Sequence, residues 1–250
     1  MNSVRLTVSW LTVLPVRGPH EVDRTAARRA IALAPLVGAL LGVTASGLLL
    51  VLTWVGAAAP LAGLVVVAAL ALLTRGMHLD GLADTIDGLG SYGPPERARQ
   101  IMKSGAAGPF GVAAIVFSIA IQAFSFAALA QHERWFAVIF AVTIGRVAAV
   151  FACRHGLTAA PDSGFGALVA GTQNRLTITT WIAVALIASA FAVSEHHWQG
   201  PVVAVVTLGI AAMLIRHCAR RFGGLSGDIL GAVIEVSVAL AAAGLSLGFD

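Results

Sequence analysis

The chain has 250 residues, of which 58% are hydrophobic and only 11% charged, and its mean hydropathy is +0.88. A soluble domain carries about 25% charged residues, so the composition excludes a water-soluble enzyme and points to a polytopic membrane protein. The net charge of +4 does not indicate nucleic acid, because the basic residues flank apolar runs in the manner that sets membrane orientation.

The first apolar run, Leu6 to Val16, has the length of a signal-peptide core. Pro15, Arg17, Gly18 and Pro19 stand where small residues would mark a cleavage site, so it reads as an uncleaved interfacial or re-entrant segment. Arg24, Arg28 and Arg29 precede the first span, 31–55. Within it Gly38, Gly42 and Ser46, four apart, mark a helix-packing seam. A second span, 57–74, is followed by an acidic segment, a Gly/Pro loop (Gly90 to Pro95) and a short charged amphipathic piece, Glu96 to Lys103. Further spans are expected at 108–130, 135–153, 177–194, 201–215 and 229–248. The polar linker 154–176 is long enough to fold back onto the protein. Cys153 and Cys218 have no partner at redox or zinc spacing and read as packing residues.

The expected fold is therefore all-α: one membrane-embedded domain, 1–250, of about seven transmembrane helices. With a cytoplasmic N-terminus, fourteen of the sixteen Lys and Arg residues fall on the inner side.

The acidic segment concentrates the chemistry. In Arg75-Gly-Met-His-Leu-Asp-Gly-Leu-Ala-Asp-Thr-Ile-Asp-Gly-Leu-Gly90, residues His78, Asp80, Asp84 and Asp87 fall at helical spacing. At 100° per residue, Asp84 lies roughly 40° one way from Asp80 and Asp87 roughly 20° the other, a single stripe. Like charges so placed repel. A divalent cation removes that cost, and hard carboxylate oxygens suit Mg²⁺ or Mn²⁺. The same membrane level holds Arg97, Arg99 and Lys103, and the glycine-rich turn with Gly224, Gly227 and Asp228. Glu235 follows inside the last span, where an acid is costly. Carboxylates, bases and open backbone together suit a metal-bound diphosphate.

These residues resemble the membrane-bound cobalamin synthase family, the adenosylcobinamide-GDP ribazoletransferases. The resemblance runs through His78-Leu-Asp-Gly-Leu-Ala-Asp-Thr-Ile-Asp-Gly-Leu89, Glu96-Arg97, Ile101-Met-Lys103, Gly108-Pro-Phe-Gly111 and Gly223-Gly-Leu-Ser-Gly-Asp-Ile-Leu-Gly-Ala232, with Glu235 beyond. Two places depart from the family pattern: Ser104-Gly105-Ala106 follow Lys103, and Val238 stands where a second glutamate is common. The resemblance implies transfer of adenosylcobinamide phosphate from adenosylcobinamide-GDP to α-ribazole or its 5′-phosphate, with release of GMP. It also implies Mg²⁺ on Asp80, Asp84 and Asp87, and His78 or an unengaged aspartate as proton acceptor. Arg97 and Lys103 would screen phosphate, while Gly224, Gly227, Asp228 and Glu235 complete the site. The expected setting is the cell's inner membrane, with the site facing the cytoplasm and a homo-oligomer left open. The rival readings are a CDP-alcohol-type phosphotransferase, whose aspartate motif is spaced differently, and a cation- or proton-coupled transporter.

Overall fold

The computed structural model describes residues 2–19 and 21–248. They form the helices α1 (Asn2–Leu11), α2 (Arg24–Ala32), α3 (Ala34–Trp54), α4 (Ala59–Leu73), α5 (Met77–Gly90), α6 (Pro95–Met102), α7 (Pro109–Gln131), α8 (Trp135–Ala152), α9 (Gly164–Val169), α10 (Arg175–Ser189), α11 (Gln199–Phe222) and α12 (Gly227–Ser246).

Local chemistry explains where these helices begin. Proline occupies the first turn of α3, α4, α6 and α7, where its missing N–H is no loss. Side-chain caps open four others: Asp23 accepts from Ala26 N at 2.7 Å for α2, Ser163 from Gly166 N at 3.0 Å for α9, Asn174 from Thr177 N at 2.8 Å for α10, and Ser226 from Ile229 N at 3.3 Å for α12.

Each of the seven expected apolar segments is a helix, but not each is a span. Among the described residues, α3, α7, α8, α11 and α12 are long and apolar enough to cross a membrane on their own, and α4 with α5 makes a sixth such path as one bent pair. A 15-residue helix such as α4 or α10 is roughly 22 Å long, short of a hydrocarbon core of about 30 Å. The expected all-α polytopic membrane bundle is what forms; against about seven expected spans, five helices, or six paths with the bent pair, have the length and composition of a span, while α4 and α10 are apolar but short.

The buried centre is α8 and α12, with α3 packed along α8. The small-residue seam on α3 explains that packing. Gly42 lies so near the Ile139 backbone that a Cβ would come within 2.7 Å of its carbonyl oxygen, and Ser46 Oγ donates to the Trp135 carbonyl at 3.1 Å.

Between α4 and α5 the chain turns by 92°. The turn is made by Arg75 and Gly76, both with left-handed backbone (φ 57° and 68°). Arg75 holds it closed, donating to the Ser9 and Trp10 carbonyls at 3.1 Å each, which ties the end of α1 to the hinge. The linker 154–176 folds back as its length allowed. Ala160 N donates to the Leu225 carbonyl and Leu225 N to that of Thr158, both at 2.9 Å. Gly224 (φ 149°) lies against the Ala159 backbone with no space for a side chain. Arg24 clasps α9 through the Ala167 and Ala170 carbonyls.

Candidate active site

Helix α5 crosses the start of α12 at close range because small residues face each other there. A Cβ on Gly81 would sit 2.7 Å from the Asp228 carbonyl oxygen, and one on Gly231 would sit 3.1 Å from the His78 Cα. This contact brings Asp228 beside the stripe on α5, although the two are far apart in sequence.

The stripe is graded in exposure. Asp80 is exposed, Asp84 half-buried and Asp87 buried. Both Asp87 oxygens are engaged: Gly108 N donates to Oδ2 at 2.6 Å and Gly111 N to Oδ1 at 2.9 Å. Asp87 thus satisfies backbone donors at the start of α7, where the helix dipole also favours a negative charge. Asp84 sits outside the five spanning helices with no hydrogen-bonding cation beside it. Burial first, and then the charges of Asp80, Asp228 and Asp87, push its carboxyl up to about 6.

That crowding bears on a metal. The donor set is all hard oxygen, and a divalent cation would relieve its repulsion, so the residues fit Mg²⁺ in kind. Among the described residues no three His, Cys, Asp or Glu side chains converge as a ready-made cage. Mg²⁺ is commonly bound through one or two carboxylates plus substrate phosphates, an arrangement two neighbouring aspartates can serve.

Two cavities meet at Asp228, Gly227 and Phe165. The first, about 250 Å³, is the more polar of the two, with Arg99, Lys103, Ser163 and Ser226 on its walls. Lys103 pairs loosely with Asp162 at 3.7 Å, and Arg99 donates to the Phe222 carbonyl at 3.2 Å. The second, about 360 Å³, is lined largely by apolar residues, with His78, Asp80, Arg146 and Asp228 reaching into it.

His78 is buried between that cavity and the bundle, with its Nδ1 3.4 Å from an Arg146 guanidinium nitrogen. A guanidinium offers only donors, so Nδ1 accepts and Nε2 carries the ring hydrogen. Arg146 also donates to the Val142 carbonyl at 3.1 Å. Glu235 accepts from Gln122 Nε2 at 2.7 Å and Ser118 Oγ at 3.5 Å. His78, Gln122, Arg146 and Glu235 line one small void of about 20 Å³, room for a single water.

The chain matches the family model described as cobalamin-5-phosphate synthase over residues 3–246. It belongs to that family. It is 37% identical over 247 residues to the adenosylcobinamide-GDP ribazoletransferase of Corynebacterium diphtheriae, covering 96% of this chain and 90% of the relative. The protein of that name from Corynebacterium efficiens is 39% identical over 246 residues with the same coverage. The one from Klebsiella pneumoniae is 35% identical over 242 residues, covering 94% and 96%. No solved structure matches the chain.

Within this family member the residues singled out from sequence divide. Asp80, Asp228, Gly227, Lys103 and His78 line the two cavities, and Asp84 stands behind them, within reach of the Asp80 and Asp228 charges. Asp87 adjoins them but is spoken for by amides. Arg97 is exposed and lines neither cavity; Arg99 stands in the polar one instead. Gly224 is accounted for by its loop contact, and Glu235 lies in the buried network behind His78 rather than at either cavity. The sequence held a signal for Arg99. On α6 the buried Ala98 and Met102 define the inner face, and Arg99 lies roughly 80° from its centre against roughly 120° for Arg97. For Phe165 and Trp10 no such signal exists, because long-range folding of the linker and α1 brings them in.

Proposed function

We propose that this family member is an adenosylcobinamide-GDP ribazoletransferase acting at the inner face of the cell membrane. The observation that carries the reading is Asp228, which lines the polar cavity together with Arg99 and Lys103 and is brought beside Asp80 and Asp84 of α5. Carboxylates next to bases suit a substrate that brings both a divalent cation and a diphosphate. A ribose hydroxyl of α-ribazole, or of its 5′-phosphate, attacks the phosphorus joined to the corrinoid. A new P–O bond forms, the diphosphate P–O–P bond breaks, and GMP leaves with the bridging oxygen.

Asp80 and Asp84, with Asp228 alongside, would hold Mg²⁺, whose chemistry when bound is to neutralise the diphosphate and the charge developing on GMP. Lys103 and Arg99 bind the remaining phosphate charge in the polar cavity that Asp228 also lines. The neutral tautomer of His78 makes Nε2 a donor, suited to positioning an oxygen rather than to taking a proton. The proton acceptor is therefore assigned to a carboxylate of the cluster, Asp84 before the others. Arg146 holds His78 in that state from behind, with Gln122 and Glu235 lining the same small void. The CDP-alcohol and transporter readings find no support in the comparisons.

Purified protein in lipid, given adenosylcobinamide-GDP and α-ribazole with Mg²⁺ and then with excess EDTA, tests this. Release of GMP matched by cobalamin, and lost with EDTA, is the expected result. Absence of product from folded, Mg²⁺-supplied protein would sink the proposal.

A further inference from the structure

The apolar cavity has no role in the phosphate chemistry, yet it opens on the same carboxylates. Its walls include Trp10, Leu11, Ile31, Phe165, Leu230 and Ile234. Trp10 and Phe165 meet edge to face, ring centroids 5.1 Å apart, and form an aromatic corner. That corner is built with care. Arg75 fixes the Trp10 backbone through its carbonyl, and Arg24 fixes the short helix that bears Phe165. Three distant segments (α1, the folded-back linker and the start of α12) are thereby held around one space.

We propose that this cavity is the nucleoside subsite, taking the two-ring aromatic base of α-ribazole against Trp10 and Phe165 with its ribose turned toward Asp80 and Asp228. The assignment rests on the reaction proposed above and goes beyond it by placing one substrate and naming what selects it. Size supports it. A cavity of about 360 Å³ lies in the range that holds a small ligand, and α-ribazole has roughly 20 non-hydrogen atoms. The corrinoid is several times too large to enter, and the guanosine diphosphate belongs with Arg99 and Lys103 in the polar cavity.

Polarity supports it too. A fused aromatic base gains from stacking on aromatic rings and from leaving water. The ribose hydroxyls gain partners in His78, Asp80 and Asp228, which reach the same space. A lipid tail, the other apolar candidate in a membrane, would cover His78, Asp80, Arg146 and Asp228 with hydrocarbon and leave them without polar company.

The test separates the two substrates kinetically. Trp10 lines the apolar cavity alone, whereas Phe165 touches both, so Trp10→Ala and the milder Trp10→Leu are the primary variants. Wild-type turnover is measured first; its failure would count against the proposed reaction and not against the cavity. Given wild-type turnover, Trp10→Ala is expected to raise KM for α-ribazole about tenfold, the size of a lost base-stacking contact. Its kcat and its KM for adenosylcobinamide-GDP should stay within about twofold on that scale. Trp10→Leu falls between. Equilibrium dialysis of α-ribazole against the variants without the corrinoid substrate should show the same order of Kd. Unchanged KM and Kd for α-ribazole in both variants, or an equal rise for both substrates, would overturn the assignment. So would activity that follows the acyl-chain length of the surrounding lipid and ignores Trp10, which would give the cavity to lipid.

Discussion

The two ends of α5 carry the same residue on the same face and put it to different use. At the C-terminal end Asp87 meets two backbone amides, Gly108 N and Gly111 N, and so joins α5 to the start of α7. At the N-terminal end Asp80 and Asp84 meet no such donors and have Asp228 brought up beside them. A carboxylate with its charge matched by amides fastens structure. Carboxylates left to repel one another hold free energy that a bound cation and its phosphates can release. The difference lies in the partners the fold supplies, not in the sequence position along the stripe.

The largest effect expected is at the open end. Asp80→Asn should lower turnover about 100-fold or more, since charge neutralisation at a phosphoryl centre is worth several kcal/mol. The melting temperature should hold or rise as repulsion is relieved. At the closed end Asp87→Ala should instead cost about 2–4 kcal/mol of stability, the loss of two charge-assisted hydrogen bonds, read as an earlier thermal transition in detergent. A variant at Asp87 that keeps its melting point but loses activity would erase the contrast between the two ends.

A smaller effect separates two neighbouring bases. Arg99→Ala should raise KM for the GDP-bearing substrate about tenfold, while Arg97→Ala should change it less than about twofold, as steady-state kinetics would show. The smallest effect is in pH. Because the folded-state pKa of Asp84 is raised to about 6, above its unfolded value, this group opposes folding when charged. Stability from this source is therefore lowest above pH 6 and recovers as pH falls through 6 toward 4. The melting temperature of the wild type should gain relative to Asp84→Asn between pH 7 and pH 5. Over the same interval kcat/KM should decline on an acid limb near pH 6, since the carboxylate is the useful form.

Much of this was legible in the chain. The Asp80–Asp84–Asp87 stripe follows from helical spacing, and the α3 seam from Gly38, Gly42 and Ser46. What local pattern could not reveal was the partner of each side chain. Nothing near Asp87 in sequence announces Gly108 N and Gly111 N, and nothing near Trp10 announces Phe165. Hydropathy measures how apolar a run is and not how long its helix is, so it did not set α4 and α10 apart from the longer spans. Arg97 was preferred to Arg99 because charge was counted without the phase of α6, which Ala98 and Met102 set.

The crossing of α5 and α12 through Gly81 and Gly231 also has a consequence in time. The aspartates of α5 are synthesised well before Asp228. The chain therefore makes α5, α7 and α8 while its acidic cluster still lacks Asp228, the carboxylate that α12 brings to Asp80 and Asp84. The charged centre closes only when α12 docks on its glycine contact, which makes assembly of the site a late event in the folding of the bundle.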